Sequence, residues 1–543
     1  MDGTGLPATR STCPYCGVGC GVLLRPDGQG GVSVEGDPDH PANHGRLCSK
    51  GTALGETVGL FGRLLHPEVA GQRASWDQAL GLVADRFRAA IADHGPDSVA
   101  FYVSGQLLTE DYYVANKLMK GFIGSANIDT NSRLCMASTV AGHKRAFGTD
   151  TVPGTYEDLE EADLVVLVGS NLAWCHPVLF QRLVAARAKR GTKVVVVDPR
   201  RTATCDIADM HLALRSGSDV ALFNGLLAHL ADETLLDRDF ASSNVDGLED
   251  AVAAARSDTP DATGIDTPKL KQFYRLWAGT KRVVTVFSQG VNQSTSGTDK
   301  VNAILNCHLA TGRIGHPGMG PLSVTGQPNA MGGRETGGLA NMLAAHLDLE
   351  NAEHRSAVGT FWDAPRVAAA PGLKAVDMFR AASKGKIKAL WIACTNPAVS
   401  MPEADAVAEA IRACDFVVVS DLFATTDTAK LADVVLPAAG WGEKDGTVTN
   451  SDRTMSRQRA VLPLPGQARP DWAIFAEVGH RMGWEQAFDY ARPAEIFREH
   501  AALSGIAGGL GRDFDISGLA DITDAEYDTL APVRWPVSAA RAG

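Results

Sequence analysis

Apolar positions along the chain follow two rhythms. After Ser75 they recur at helical spacing, at Leu80, Val83, Phe87 and Ile91. Ser75 with Gln78 three residues later has the form of a capping box, so the pattern predicts an amphipathic helix that starts there. From about residue 160 the rhythm changes to short β-branched runs alternating with helical stretches. DLVVLVGSN (163–171) reads as a buried strand running into a polar loop. Val178 to Lys189 reads as a helix stopped by Gly191, and KVVVVDPR (193–200) as the next strand. RVVTVFSQG (282–290) is a further strand of this type. Buried strands joined through helices predict a parallel sheet covered on both faces.

The same unit returns later. ALWIACTNP (389–397) reads as a strand and loop, Pro402 to Ala413 as a helix and DFVVVSDLF (415–423) as a strand. Each copy has a strand ending in an Asn loop, a helix, and a strand ending in Asp. The last forty residues are rich in Gly and Asp and end in APVRWPVSAARAG, which reads as linker rather than core.

At about 150 residues per domain, 543 residues predict three or four domains. The expected class is α/β, with a small N-terminal metal-stapled domain and two interleaved parallel-sheet domains. The boundaries are 1–58 for the stapled domain, 59–150 with 330–480 for a discontinuous α/β domain, 151–329 for a Rossmann-like domain, and 481–543 for a C-terminal segment. Hydrophobic residues at 45% and charged residues at 21% are ordinary globular usage. The net charge of −12 carries no nucleic-acid signature and leaves anion binding to local positive charge. No run of eighteen apolar residues predicts a membrane span. The start, MDGTGLPATRSTCPYC, has no apolar signal core and no twin arginine, so a cytoplasmic location is expected.

Four of the ten cysteines sit in the first fifty residues: Cys13, Cys16 and Cys20 in CPYCGVGC, and Cys48 in RLCSKG. In a reducing compartment, metal binding is favoured over disulfides. Gly17, Gly19 and Gly21 are expected to let the backbone wrap a bulky ligand. A tight triplet plus one remote thiolate suits an iron–sulfur cluster; the alternative is a structural zinc site, which usually shows two separated Cys-x-x-Cys knuckles. Lys50 reads either as a solvated lysine or as an ammonium placed between the cluster and an anionic cofactor.

CPYCGVGC…RLCSKG, then NSRLCMASTVAGHKRAFG (131–148), then EEADLVVLVGSNLAWCHPVL (160–179), resemble the molybdopterin guanine dinucleotide oxidoreductases, and within them the bacterial assimilatory nitrate reductase catalytic subunits. The resemblance runs from Cys13 to about Pro536. It implies a [4Fe–4S] cluster on Cys13, Cys16, Cys20 and Cys48, and molybdenum held by two molybdopterin guanine dinucleotides and by Cys135. Met136 follows where formate dehydrogenases of the superfamily carry His, and it either lines a pocket for a small oxyanion or fills core. Arg334, in VTGQPNAMGGRETGG (324–338), is expected to orient nitrate through its planar paired donors; the alternative is an ion pair with Glu335 or another acid. Ser170, Asn171 and Asp198 in one unit, and Asn396, Ser420 and Asp421 in the other, are implied nucleotide contacts at strand ends. Lys50, Gln106, Asn131, Gly217, Asp219, Gln289, Gln293, Lys444 and Asp471 are carried over as further pterin-dinucleotide contacts. Cys175, Cys205, Cys307, Cys394 and Cys414 are expected to be packing residues.

The implied reaction is molybdenum-dependent reduction of nitrate to nitrite by oxygen-atom transfer, with Lys50 relaying electrons from the cluster. The donor is expected to be a separate protein such as ferredoxin, flavodoxin or a reductase subunit. The rival readings are a formate dehydrogenase, which Met136 argues against, and a non-catalytic iron–sulfur electron-transfer or assembly protein. Family members continue past APVRWPV into a final domain. That leaves a shortened product, or one half of a protein completed by a separate chain.

Overall fold

The computed structural model describes residues 8–539. The helix expected after Ser75 runs Trp76–His94, and both halves of the Ser75/Gln78 capping box form. It buries Leu80, Val83 and Phe87 against the larger of two parallel sheets.

That sheet has seven strands, in the order Gln72–Arg73, Glu68–Val69, Val434–Pro437, Phe416–Asp421, Ala389–Ala393, Val99–Val103, Ile128–Thr130. All neighbours are parallel except the two short strands at one edge. A second, fully parallel sheet has five strands, in the order Met210–Leu212, Lys193–Val197, Leu164–Val168, Val283–Phe287, Gly320–Ser323. Every residue of the Leu164–Val168, Val283–Phe287 and Ala389–Ala393 strands is buried, as sheets with two covered faces require. In each sheet the strand order reverses direction once, between Leu164–Val168 and Val283–Phe287, and between Ala389–Ala393 and Val99–Val103. Ligands bind outside the carboxyl ends of strands at such switch points.

Residues 9–36 form a three-stranded antiparallel sheet. Its Val22 and Leu24 belong to the same apolar core as the seven-stranded sheet. So short a segment cannot bury enough surface alone, and it borrows the larger core.

The C-terminal residues correct the linker reading. Phe514, Ile516, Tyr527 and Trp535 are buried, and Val533–Arg534 adds a strand to the hairpin of Gly446–Thr449 and Thr454–Gln458. The aromatic side chains carry polar tips that need buried acceptors, and two carboxyls supply them. Tyr527 donates to Glu110 at 2.8 Å, and Trp535 Nε1 donates to Glu335 at 2.7 Å. Sparse apolar residues disguise this segment, because its attachment is polar as much as hydrophobic.

Burial pushes Glu335 up from 4.5 to about 7. The folded state therefore holds this proton more tightly than the unfolded chain. Its contribution is complete below about pH 4.5 and is lost as pH rises to about 7, a change of about 3 kcal/mol. Glu335→Gln should accordingly show a smaller fall in thermal midpoint than the native protein over that window. Calorimetry at stepped pH checks this, and equal slopes contradict it.

Candidate functional site

The two switch points are built alike. At the first, Asn171 Oδ1 accepts from the Thr204 hydroxyl at 2.9 Å, and the Ala173 amide donates to Thr204 Oγ1 at 3.1 Å. At the second, Asn396 Oδ1 accepts from the Thr428 hydroxyl at 2.6 Å, and the Ala398 amide donates to Thr428 Oγ1 at 3.1 Å. The Asn–Thr separations are 33 and 32 residues. Asp198 and Asp421 close the neighbouring strands by accepting from amides one or two residues on. One device thus shapes two crevices for two similar ligands. Ser170 Oγ and Thr202 Oγ1 are buried without a hydrogen-bond partner at the first crevice. Buried polar atoms of this kind are satisfied when a ligand arrives.

The second crevice opens into a cavity of about 600 Å³. Gln106, Ser420, Asp421, Lys444 and Asp471 all line it, as does Tyr15 from the cysteine lobe. Ser420 Oγ accepts from Trp391 Nε1 at 2.9 Å. Lys444 lies 3.1 Å from Asp111 and 3.0 Å from Asp471. Burial works against its ammonium, but the two carboxylates hold it charged and above its usual range. Asp471 Oδ1 is buried and unpartnered, free to accept from a ligand.

Cys135 stands where the two sheets' strand ends meet. It lies in the first turn of the helix Ser132–Phe147 and is half-buried; Met136 breaks the helical backbone immediately after it (φ −135°, ψ 16°) and is buried. Gln289, just beyond Val283–Phe287, donates Nε2–H to Cys135 Sγ at 3.2 Å. Gly326, beyond Gly320–Ser323, presents its bare α-carbon to the same sulfur. Gly105, beyond Val99–Val103, packs against Ser132 and Gln327 so closely that a Cβ would collide with both. Three strand ends therefore converge around Cys135, two of them in contact with its sulfur. Ser132 Oγ, Thr325 Oγ1 and Gln327 Oε1 are buried there without partners.

Of the remaining sequence candidates, Asn131 accepts from the Gly105 amide at 2.9 Å, and Gln293 donates to the Leu134 carbonyl at 3.1 Å, both beside Cys135. Asp219 is buried in an ion pair with Lys300 at 2.7 Å, and Gly217 sits in an exposed left-handed turn (φ +91°). Arg334 is 4% exposed, and its Nε donates to Asp150 at 2.6 Å. The ion-pair alternative is thus the one formed, with Asp150 rather than Glu335 as partner.

The cysteine loop is pressed into this centre. A Cβ on Gly17 would strike Thr325, and one on Gly19 (φ +65°) would strike Asn450. These glycines serve close approach of protein to protein. Burial pushes the Cys13 thiol up to about 12, and Cys16 and Cys20 also rise. Such thiols ionise only opposite strong positive charge, which iron supplies. Among the described residues, no three His, Cys, Asp or Glu side chains converge on a single ion. Lys50 Nζ lies 5.6 Å from the Tyr15 ring centroid. Its charge is felt at Cys13, Cys16, Cys175 and His176, which puts it between the cysteine lobe and the first crevice. His176 Nε2 donates to the Thr325 carbonyl at 2.7 Å and ties that crevice to the centre.

Sequence reasoning missed Thr204, Thr428 and His176, although the equal Asn–Thr spacings were a readable signal. It also missed Cys175, which is exposed and not a packing residue. Cys394 packs against the main apolar core as expected and also lines the cavity, with a left-handed backbone (φ +59°).

Residues 63–481 match the family described as molybdopterin oxidoreductase, and residues 6–59 match the molybdopterin oxidoreductase Fe4S4 domain. The chain is 56% identical over 541 residues to a nitrate reductase of Klebsiella oxytoca, and 49% identical over 551 residues to a nitrate reductase of Shewanella frigidimarina. Each alignment covers 98% of this chain but only 62% and 58% of those proteins. The fold is similar to that of acetylene hydratase from Pelobacter acetylenicus, with a TM-score of 0.77 at 21% identity, over 97% of this chain and 74% of that one.

Gly17→Ala should loosen the contact with Thr325, costing about 1–3 kcal/mol of stability and lowering iron bound per chain although all four cysteines remain. Thermal unfolding and iron analysis measure this; full iron loading would show that the close approach is dispensable.

Proposed function

The chain belongs to the molybdopterin oxidoreductase family, and on that premise we propose that it carries the nitrate-reducing centre of an assimilatory nitrate reductase. The observation that carries this reading is Cys135 at the meeting of three strand ends, followed by buried Met136. Bound there, a molybdenum–pterin group supplies a metal that exchanges an oxygen atom and two electrons. Cys135 offers it a soft thiolate, and the Gln289 amide hydrogen bond fixes the direction of the sulfur. Met136 has no basic atom. That suits nitrate, which brings no hydrogen to remove, and does not suit formate, which does.

The two matching crevices support the guanine dinucleotide form of the cofactor, one nucleotide in each. Cys13, Cys16, Cys20 and Cys48 would hold the cluster, and Lys50 places positive charge beside it. Cys16 and Cys48 are partly exposed, which offers an edge to an electron-donor protein of the ferredoxin, flavodoxin or reductase-subunit kind. All ten cysteines are free thiols, in keeping with a reducing, cytoplasmic location.

Matured protein should contain molybdenum as well as iron, and with a reduced artificial donor should convert nitrate to nitrite while leaving formate untouched. Cys135→Ala should bring nitrite formation to background. Iron without molybdenum would favour the non-catalytic reading, and formate oxidation would favour the dehydrogenase.

A further inference from the structure

The helix that carries Cys135 is kinked directly behind it. Met136 leaves the helical region (φ −135°, ψ 16°), so the later turns do not by themselves fix the direction of residues 132–135. Side chains anchor this first turn instead. On the side of the five-stranded sheet they are Gln289, which donates to the Cys135 sulfur, and Gln293, which donates to the Leu134 carbonyl. On the side of the seven-stranded sheet the anchor is Arg133, two residues before Cys135. Its Nε and Nη2 donate to the two oxygens of Asp129 at 2.9 and 3.0 Å, and Nη2 also donates to Asn341 Oδ1 at 2.9 Å. Asp129 is buried in the edge strand Ile128–Thr130 and also accepts from the amides of Ala340 at 3.2 Å and Ala375 at 2.7 Å. Arg133 is thus fastened twice to the loop at 337–342, once through Asn341 and once through Asp129.

That loop is irregular backbone, and buried carbonyls in such a stretch need donors from elsewhere. Lys120 supplies them. Its ammonium donates to the carbonyls of Gly337, Leu339 and Met342, the last two at 2.9 and 2.8 Å, three acceptors for three hydrogens. Lys120 is buried in the seven-residue π-helix Lys117–Ile123. Turns of that kind are rare and occur mostly at functional sites. Burial draws the ammonium down to about 7 while Asp129 pulls the other way, so it carries its charge below neutral pH. A lysine buried this completely is costly unless every donor is used, and here every donor is.

We propose that Lys120 is a positioning residue for the Cys135 centre. It fixes the loop at 337–342; through Asn341 and Asp129 the loop fixes Arg133, and Arg133 fixes the turn that aims the Cys135 sulfur. The proposal rests on the reading of Cys135 as the thiolate for the molybdenum–pterin group. Every link in it is a hydrogen bond or a step along one helical turn. Lys120 touches neither substrate nor sulfur, and no proton or electron passes through it. Its loss leaves Cys135 in the chain but frees the turn that directs it. Metal content should therefore survive while turnover falls, because reacting groups displaced by a fraction of an ångström lose rate before they lose binding.

The test has two arms on the full chain. Amide hydrogen exchange, read by mass spectrometry in mildly acidic buffer, compares the native protein with Lys120→Met, Asn341→Ala and the double variant. Each single variant should speed exchange in peptides spanning 131–136 about fivefold or more, while the buried strand Leu164–Val168 stays as slow as in the native protein. In the double variant the two effects should fall short of adding. Faster exchange confined to 337–342, or full additivity, overturns the proposal. Asn341→Ala alters a half-buried loop residue and decides the point by itself should Lys120→Met not fold. In turnover of matured protein with a reduced artificial donor, Asn341→Ala should lower kcat about tenfold and leave both KM for nitrate and molybdenum per chain unchanged. Asn341→Asp, which keeps an acceptor for Arg133, should recover most of the loss. An unchanged kcat, or a fall that only tracks lost molybdenum, overturns the proposal. If the native chain binds no molybdenum or reduces no nitrate, the functional reading has failed, and the exchange measurement alone decides the Lys120 link.

Discussion

The short segment from Thr325 to Gln327 is where the cysteine loop, the strand ends of both sheets and the turn at Ser451 touch, largely through bare backbone. Gly17 of the cysteine loop lies against Thr325, Gly326 faces the Cys135 sulfur, and Gly105 lies against Gln327. The Thr325 amide donates to Ser451 Oγ at 2.9 Å, and its carbonyl accepts from His176. Nearby, Gly169 and Gly290 meet backbone to backbone at the first switch point, where a Cβ on Gly169 would come within 2.7 Å of the Gly290 α-carbon. Close-packed interiors do not absorb an extra methyl at such contacts without movement. Glycine at these positions therefore decides that the cluster lobe, two crevices and one thiol converge on a common centre.

Around this contact the protein commits carboxyl groups to burial. Glu110, Asp111, Asp129, Asp150 and Glu335 are each 0–1% exposed. Each is engaged: Glu110 by Tyr527 and Thr447, Asp111 by Lys444, Asp129 by Arg133 and the amides of Ala340 and Ala375, Asp150 by Arg334, and Glu335 by Trp535 and Thr449. A buried carboxyl without such partners would be strongly unfavourable. These groups fasten segments distant in sequence to the walls of the site. The Glu110 and Glu335 links also explain how residues 514–535, with little apolar content, are fastened to the core.

Much of the fold was legible because parallel strands buried on both faces are written as unbroken β-branched runs. LVVLV, KVVVV and FVVVSD each became a strand within a few residues of the expected bounds. The repeated strand–Asn–helix–strand–Asp order was equally visible, and the structure gives it physical content in the matched Asn–Thr pairs. What could not be read was partner choice across long separations. Arg334 and Asp150 are 184 residues apart, and nothing local favours Asp150 over adjacent Glu335. The exposure of Cys175 and the cavity position of Cys394 depend on which strand end faces which crevice, and no local pattern encodes that. The glycines of CPYCGVGC stand out in the sequence, but their protein neighbours, Thr325 and Asn450, lie more than 300 residues away and leave no local mark.

If Cys135 is the protein's ligand to molybdenum, its sulfur belongs to the metal's first coordination sphere and can be seen directly. X-ray absorption at the molybdenum edge of the matured chain, compared with Cys135→Ser, measures that sphere. The account predicts one fewer sulfur neighbour in the variant, with the iron signal of Cys13, Cys16, Cys20 and Cys48 unchanged. Identical molybdenum spectra in the two proteins would contradict it.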